Sequence, residues 1–417
     1  VEYPYKRALA IASTTTKQLS GGMSMYIHIP FCASLCSYCD FAKTSDYSSL
    51  SVKEYFATLQ NHLSYWCFYL KENHRKLVSV YIGGGTPSLF THEYRAIFNM
   101  LSPFLGDTDI TLEANPGSIT KERLSFWQDL GINRLSIGVQ SFHSSHLRTL
   151  ERDHSSGQSR EAICLAMEAF LVNADLIYGI PSQSFKEFMQ DLIWLEESGV
   201  DHLSLYHLTF EPKTPLGRAF YRGKIPAEVL KEGEDFYRLA CDYLVAKNFI
   251  HEELAHFARN DHYTFHNAVY WNMFPYIAIG SGAHGYAVMA KMTGLKGRQD
   301  MRYVYGSHYR TLKKIISEKK YEMHLKEFLH SSGAKVEDNR SDSTRLLECI
   351  ATSLRTSRGV PLADIQRDFG YEFLASSLIK KALDEDQAWI EDGHLIFHPY
   401  LWFYENSYIL DCQESFI

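Results

Sequence analysis

The sequence predicts an α/β protein built on a parallel sheet, followed by a smaller α+β module. Three observations carry this expectation. Between residues 25 and 208, short β-branched runs alternate with amphipathic helical stretches, and strands separated by helices imply parallel pairing with right-handed crossovers. Most of these segments stop at glycine, proline or asparagine, the residues that punctuate local structure. After about residue 300 the pattern gives way to charged helices and a hairpin signal. A chain of 417 residues suits one large domain and one smaller one, at the usual ~100–200 residues per domain.

The elements follow in order. Met25–Ile29 (MYIHI) is the first strand, ended by Pro30. Lys53–Leu70 places Phe56, Leu59, Leu63, Trp66 and Leu70 at helical spacing. Leu77–Ile82 is a strand ending in three glycines, and Thr91–Met100 is a helix. Asp109–Ala114 is a strand closed by Asn115-Pro116-Gly117, and Lys121–Leu130 is a helix stopped by Gly131. Arg134–Val139 and Val172–Tyr178 are strands flanking a helix at Ser159–Phe170. Phe185–Ser198 is a helix ended by Gly199, and His202–Leu208 is the sixth strand. These strands read as apolar runs, the pattern of strands covered on both faces. A doubly wound sheet and a barrel satisfy this pattern equally. At Ala169–Val172 helix and strand nearly abut, where ~2–6 linking residues are usual.

Residues 1–24 are expected to be a loose tail or an upstream translation artefact. Their apolar patch, Ala8–Ala12, is shorter than the ~7–15-residue core of a secretion signal. No run approaches the ~18 apolar residues of a membrane span, and the expected compartment is the cytoplasm, where thiols stay reduced. Towards the other end, Lys313–Lys320 reads as helix and residues 331–343 as loop. Residues 344–417 read as two amphipathic helices and a hairpin at Trp389–Phe397, which resembles a winged-helix module. The formal net charge of −7 and the acidic character of this segment argue for a packing role and against a nucleic-acid partner.

Three of the eight cysteines fall in Phe31-Cys32-Ala-Ser-Leu-Cys36-Ser-Tyr38-Cys39, too few in all for a disulfide scaffold. Buried packing residues are one explanation of the C-x3-C-x2-C cluster. A structural zinc site is another, but it usually needs four ligands, commonly in two Cys pairs. Thiolates are also the ordinary ligands of an iron–sulfur cluster, and three on one loop leave one of four irons open.

C-x3-C-x2-C with an aromatic residue before the third cysteine resembles the signature of the radical S-adenosylmethionine (SAM) superfamily. The context Y-I-H-I-P-F-C resembles its oxygen-independent coproporphyrinogen III oxidase-like branch, and the likeness extends from residue 25 to about 290. The resemblance implies a partial (β/α)6 TIM-like barrel over residues 25–300 with the site at the C-terminal strand ends, and a C-terminal winged-helix-like α+β domain over 301–417. It implies that Cys32, Cys36 and Cys39 hold a 4Fe-4S cluster whose fourth iron binds SAM. The glycine run Gly83-Gly84-Gly85-Thr86-Pro87 matches the family's loop for the methionyl end of SAM, with Gly84, Gly85 and Thr86 as contacts. Glu113, Gln140 and Asp175 match polar residues that bind SAM. Tyr26, Tyr38 and Arg152 match positions lining it, with Arg148 as an alternative cation.

Within the branch, the coproporphyrinogen III dehydrogenases continue past the third cysteine to a fourth, two positions on. Here that position is Phe41, and the C-D-F ending resembles the heme chaperone (HemW-type) group. His266-Asn267-Ala-Val-Tyr270-Trp271 resembles that group's signature associated with heme, with His266 as a heme contact and His28 and His207 as alternatives. His28 is expected rather to orient the cluster loop. The implied function is a radical SAM heme chaperone that passes heme to an acceptor protein, with a flavodoxin or ferredoxin as electron donor and a homodimer as one arrangement. The alternative is oxidative decarboxylation of coproporphyrinogen III to protoporphyrinogen IX.

Overall fold

Alternation within the strands, more than their overall hydrophobicity, sets the architecture of this computed structural model. It describes residues 22–259, 262–288, 300–316, 318–338, 340–399 and 401. The expected tail lies outside the described residues up to residue 21, and β1 begins at Met23.

Six strand–helix units follow one another: β1 (Met23–Ile29) and α1 (Ser49–Glu72), β2 (Leu77–Gly84) and α2 (His92–Leu101), β3 (Asp109–Ala114) and α3 (Lys121–Asp129). Then come β4 (Arg134–Gln140) with α4 (Ser144–Thr149) and α5 (Ser156–Met167), β5 (Leu171–Tyr178) with α6 (Phe185–Ser198), and β6 (His202–His207) with α7 (Pro215–Tyr221) and α8 (Glu228–Ala246). The six strands pair in sequence order, all parallel. Helix starts are chemically specified: Ser155 with Gln158 and Ser184 with Glu187 form capping boxes, each satisfying two otherwise orphan N–H groups. Gly199 ends α6 at φ 85°, where a side chain is disfavoured.

Ile27, Ile29, Val80, Ile82, Leu112, Leu135 and Ile137 are fully buried and form one core with Leu59, Leu63 and Trp66 of α1 and their counterparts on the other helices. The residues between them are mostly polar: Ser24, Tyr26 and His28 on β1 stand opposite Ser79, Tyr81 and Gly83 on β2. Successive strand residues point to opposite faces, so helices cover the apolar face and the polar face turns inward. Asp175 on β5 and Tyr206 on β6 lie within electrostatic reach of Tyr81 on β2, so the sheet curls around a shared interior. The expectation of uniformly apolar strands is corrected on this point: one face is a polar lumen.

The sheet extends at both edges. β7 (Ile250–Glu253) and β8 (His256–Ala258) add beyond β6, antiparallel. On the other side β9 (Tyr276–Ile279), which follows helix α9 (Phe265–Trp271), pairs parallel with β1. β10 (His284–Val288), β11 (Asp300–Tyr305) and, after α10 (Leu325–Ser331), β12 (Ala334–Asp338) continue antiparallel. The sheet thus runs past residue 300. β12 replaces part of the loop expected at 331–343, because an edge strand carries polar residues on its open side. The helix expected at Lys313–Lys320 is absent among the described residues; only a short 3-10 turn forms, at Glu318–Tyr321. The helix expected to run to Phe170 ends at Met167, which makes room for a three-residue link to β5 and removes the oddity at that join.

The last described segment has its own core around Leu346, Ile350, Ile365, Ile379 and Leu395. It comprises α11 (Asp342–Ser353), β13 (Val360–Pro361), α12 (Leu362–Phe369), α13 (Ser377–Asp384), β14 (Ala388–Glu391) and β15 (His394–Phe397). There are three helices where two were expected, and the expected hairpin of β14 and β15 forms with β13 at its edge. Asp300 at the start of β11 is fully buried between Arg340 (3.5 Å) and Arg345 (3.1 Å), which joins this module to the sheet.

Candidate functional site

The site begins where the chain leaves β1. Thr44 N–H donates to Pro30 O (2.7 Å) and Cys32 N–H donates to Thr44 O (2.9 Å), closing the cysteine loop at its neck. Phe31 anchors that neck, with Tyr47, Tyr55, Phe90 and Tyr309 around it at ring separations of 4.9, 5.2, 5.7 and 5.3 Å. Farther out, the Ser37 hydroxyl donates to Thr149 O at 2.9 Å, holding the loop to the end of α4. Cys32 is buried, while Cys36 and Cys39 are partly exposed, and all three are free thiols. Burial, with the neighbouring sulfurs, pushes the Cys32 thiol up to about 11 and raises that of Cys39.

Each cysteine has a polar neighbour. Thr86 hydrogen-bonds Cys32. Arg152 donates to Cys36 Sγ at 3.3 Å and to Gly138 O at 2.9 Å, and Lys43 donates to the carbonyl of Cys39. Burial opposes the Arg152 charge, but Tyr38, Cys36 and Asp153 hold the guanidinium protonated more firmly than usual. Arg148, the alternative cation, stands exposed on α4, so Arg152 is the residue that reaches the loop. Tyr38 is packed over the small apolar cluster of Leu150, Ile177, Ile180 and Leu208.

The glycine run meets this loop from β2. Gly85 N–H donates to Ile29 O (2.7 Å), Thr86 N–H to Phe31 O (2.9 Å) and Gly84 N–H to Glu113 Oε2 (2.9 Å). These three N–H groups are therefore engaged within the protein. Glycine is required for proximity: a Cβ on Gly85 would lie 2.8 Å from Phe31 O and 3.0 Å from Cys32 Sγ. On Gly84, at φ +117°, it would enter the His28 ring.

Below the loop, polar groups line the lumen. Glu113 also accepts from Tyr81 OH (2.9 Å), and burial lifts its carboxyl to about 7. Burial lifts Asp175 to about 6, although Ser204, Asn173 and Ser136 donate to it. Gln140 sits at φ 66° beside a register shift in β4, and its buried Oε1 has no partner, as is true of Arg152 Nε. Two carboxyl groups with raised affinity for protons, an unpaired acceptor and an unpaired donor suit a ligand that is cationic and polar at once. The thiols suit iron, which would replace their protons. Among the described residues, no three His, Cys, Asp or Glu side chains converge as ligands of a single ion do.

His28 donates from Nε2 to Ala42 O (2.7 Å) and accepts at Nδ1 from Tyr26 OH (3.0 Å), so it ties β1 to the far end of the cysteine loop. His266 is fully buried. Its Nδ1 bonds Ser79 Oγ (2.9 Å), its Nε2 bonds Tyr270 OH (2.7 Å), and its ring stacks on Tyr81 at 5.0 Å. Both ring nitrogens are thus engaged within the protein. His207 stacks on Tyr178 at 5.2 Å, wedged against Gly179 and Gly233. Helix α9 has a second face: Asn267 and Trp271 line a small cavity of about 70 Å³ against Thr356 and Arg358 of the C-terminal module.

A larger cavity, about 700 Å³, opens beside the cysteine loop. Its walls include Tyr26, Glu113 and Gly84 on one side, Phe41 at the mouth, and Tyr276, His284 and Lys335 on the other. Phe41 is 68% exposed.

The radical SAM superfamily model matches residues 26–195. The chain is 35% identical over 271 residues to the heme chaperone HemW of Haemophilus influenzae, covering 63% of this chain and 70% of that protein. The chain belongs to the HemW group of the radical SAM superfamily. It is equally 35% identical to Escherichia coli HemW, over 274 residues (63% of this chain, 70% of that protein). Against the mouse mitochondrial radical S-adenosyl methionine domain-containing protein 1 the identity is 36%, covering 63% of this chain and 60% of that protein. Coproporphyrinogen III oxidase (HemN) from Escherichia coli shares the fold at a TM-score of 0.72 and 18% identity, over 96% of this chain and 92% of that one. The superfamily uses a 4Fe-4S cluster and SAM.

Several participants escaped the sequence reading. Ser79, Tyr81, Ser136, Asn173 and Ser204 form the lumen network around Glu113 and Asp175. Their signal was the two-residue alternation within β2, β4, β5 and β6. His284 and Lys335 carried no signal of their own, because strands β10–β12 bring them to the cavity from distant sequence.

Proposed function

We propose that this chain is a heme chaperone: it binds heme in the large cavity beside the cysteine loop and releases it to an acceptor protein. The observation that carries the reading is that cavity, about 700 Å³ and walled by Tyr26, Phe41, Tyr270, Tyr276 and Tyr305. Aromatic side chains supply flat apolar faces suited to a porphyrin ring. The Haemophilus influenzae and Escherichia coli relatives are named heme chaperones, and the position two beyond Cys39 is the exposed Phe41 instead of a fourth thiol.

In this reading Cys32, Cys36 and Cys39 hold the 4Fe-4S cluster. Glu113, Gln140, Arg152 and Asp175 hold SAM, with Tyr26, Tyr38, Gly84, Gly85 and Thr86 shaping its site. When bound, the cluster and SAM supply one-electron chemistry, and the protein's part is to bind, orient and exclude water. Thr86 and Arg152 stabilise thiolate charge at Cys32 and Cys36. His28 keeps the loop in register with β1, and the Glu113–Tyr81–Gly84 network holds one carboxyl poised to exchange a proton near neutrality. The sheet from β1 to β12 forms the binding body, and the module from α11 to β15 packs against it. The electron donor is a flavodoxin- or ferredoxin-type protein, the compartment is a reducing one such as the cytoplasm, and two copies associate.

The test is an assay pair on the anaerobically reconstituted chain: hemin titration with transfer to an apo-heme protein, and incubation with coproporphyrinogen III under reducing conditions. Stoichiometric hemin uptake and transfer without protoporphyrinogen formation is the expected result. Protoporphyrinogen formation without hemin uptake would overturn the reading in favour of decarboxylation.

A further inference from the structure

The heme-binding reading leaves open which atom meets the iron, and on that reading the structure narrows the choice. Imidazole is an ordinary axial donor for heme iron. His266 and His28 each have both ring nitrogens engaged at 2.7–3.0 Å. The cavity is lined by two histidines, His28 and His284. His284 is exposed to that space and makes no hydrogen bond through its ring among the described residues.

The sheet places a cation beside it. His284 pairs with Val304 on β11, and Val304 pairs with Lys335 on β12. Residues directly opposite in antiparallel ladders share a face, so His284, Val304 and Lys335 form one row along the cavity wall. Two inter-strand steps of ~4.8 Å put the backbones of His284 and Lys335 about 10 Å apart. Lys335 is exposed and has no ion pair among the described residues, and an ammonium is a suitable point charge for a carboxylate.

The row is also fixed relative to the cysteine loop. The turn leading into β10 carries Gly280 at φ +107° and Gly282 at φ +73°. A Cβ on Gly280 would lie 2.5 Å from His28 O, and one on Gly282 would lie 2.2 Å from Ala42 Cβ. His284 therefore begins its strand directly behind the loop that carries Cys39 and Phe41. We propose that His284 is the axial donor to heme iron in this chain and that Lys335 receives a propionate, which seats the porphyrin between the β10–β12 wall and Phe41.

The experiment uses the full chain with its cluster reconstituted anaerobically and titrated with hemin, read by Soret absorbance and electron paramagnetic resonance. Wild type is expected to give an imidazole-ligated spectrum. His284→Ala is expected to lose that spectrum and at least tenfold in hemin affinity, with unchanged cluster absorbance and circular dichroism, and added imidazole restores the ligated spectrum. Lys335→Ala is expected to weaken hemin binding several-fold but leave the binding of hemin dimethyl ester unchanged. A His284→Ala protein with wild-type spectrum and affinity overturns the donor assignment while the heme-binding reading stands. A wild-type chain that takes up no hemin overturns both.

Discussion

Glu113→Gln isolates the cost of keeping a carboxyl in the lumen. Burial raises this group from 4.5 to about 7 in the folded chain. Between those values the folded state binds more protons than the unfolded one, so stability falls as pH rises. The contribution is intact below pH 4.5 and is lost as pH passes through about 7. At about 1.4 kcal/mol per pH unit, the full span is worth about 3 kcal/mol. Because the carboxyl borders the cavity, water screens part of this, and the observable difference is about 1–3 kcal/mol. The glutamine keeps an acceptor for Gly84 N–H, and the Tyr81 hydroxyl can turn to accept from its amide. Urea unfolding of the chain stripped of its cluster should therefore show Glu113→Gln more stable than wild type at pH 8, with the two converging near pH 5. SAM affinity should fall in the same variant, measured by calorimetry on the reconstituted protein. A variant less stable than wild type at pH 8, or offset equally at both pH values, would refute the reasoning.

Four further outcomes are expected. Cys32→Ala should abolish the broad iron–sulfur absorbance near ~400 nm while circular dichroism is retained; surviving absorbance would remove Cys32 from the ligand set. Gly85→Ala forces a Cβ to within 3.0 Å of Cys32 Sγ and 2.8 Å of a backbone oxygen, an overpacking cost of about 1–3 kcal/mol. Iron content after reconstitution should drop, and unchanged loading would show that the loop yields. Arg152→Met removes a cation and an N–H donor from Cys36, so the cluster should become harder to reduce, visible as a lower midpoint in a redox titration. Asp300→Ala removes one carboxylate partner from each of the buried Arg340 and Arg345, which keep Glu348 and Asp342, and should cost about 1–3 kcal/mol in urea unfolding.

The six strand–helix units are legible in the sequence because apolar periodicity on the helices and turn residues after the strands act locally. The lumen was half legible. Ser79, Tyr81 and Gly83 alternate plainly with Val80 and Ile82, but alternation names two faces without saying which is inside. That is decided by the helices, which cover the aliphatic face. His266 shows the same limit from the other side. Its type and motif suggest a ligand, yet its partner Ser79 lies 187 residues away, and only the folded sheet brings the two together. Spacing made the cysteine loop visible, but its neighbours Thr86 and Arg152 arrive from the segments that follow β2 and α4. β12 was missed because edge strands hide their periodicity under charge.

Helix α9 has two audiences. His266 and Tyr270 face the lumen, one turn apart, while Asn267 and Trp271 face the C-terminal module. Both pairs ride on the same seven residues, so the helix acts as a cam: a roll that suits one side displaces the other by the same angle. A cargo that nudged Tyr270 would be felt at Trp271, and a protein that gripped the C-terminal module would press back on the lumen. The lumen and the C-terminal module thus share one seven-residue helix, with a polar contact on each of its sides.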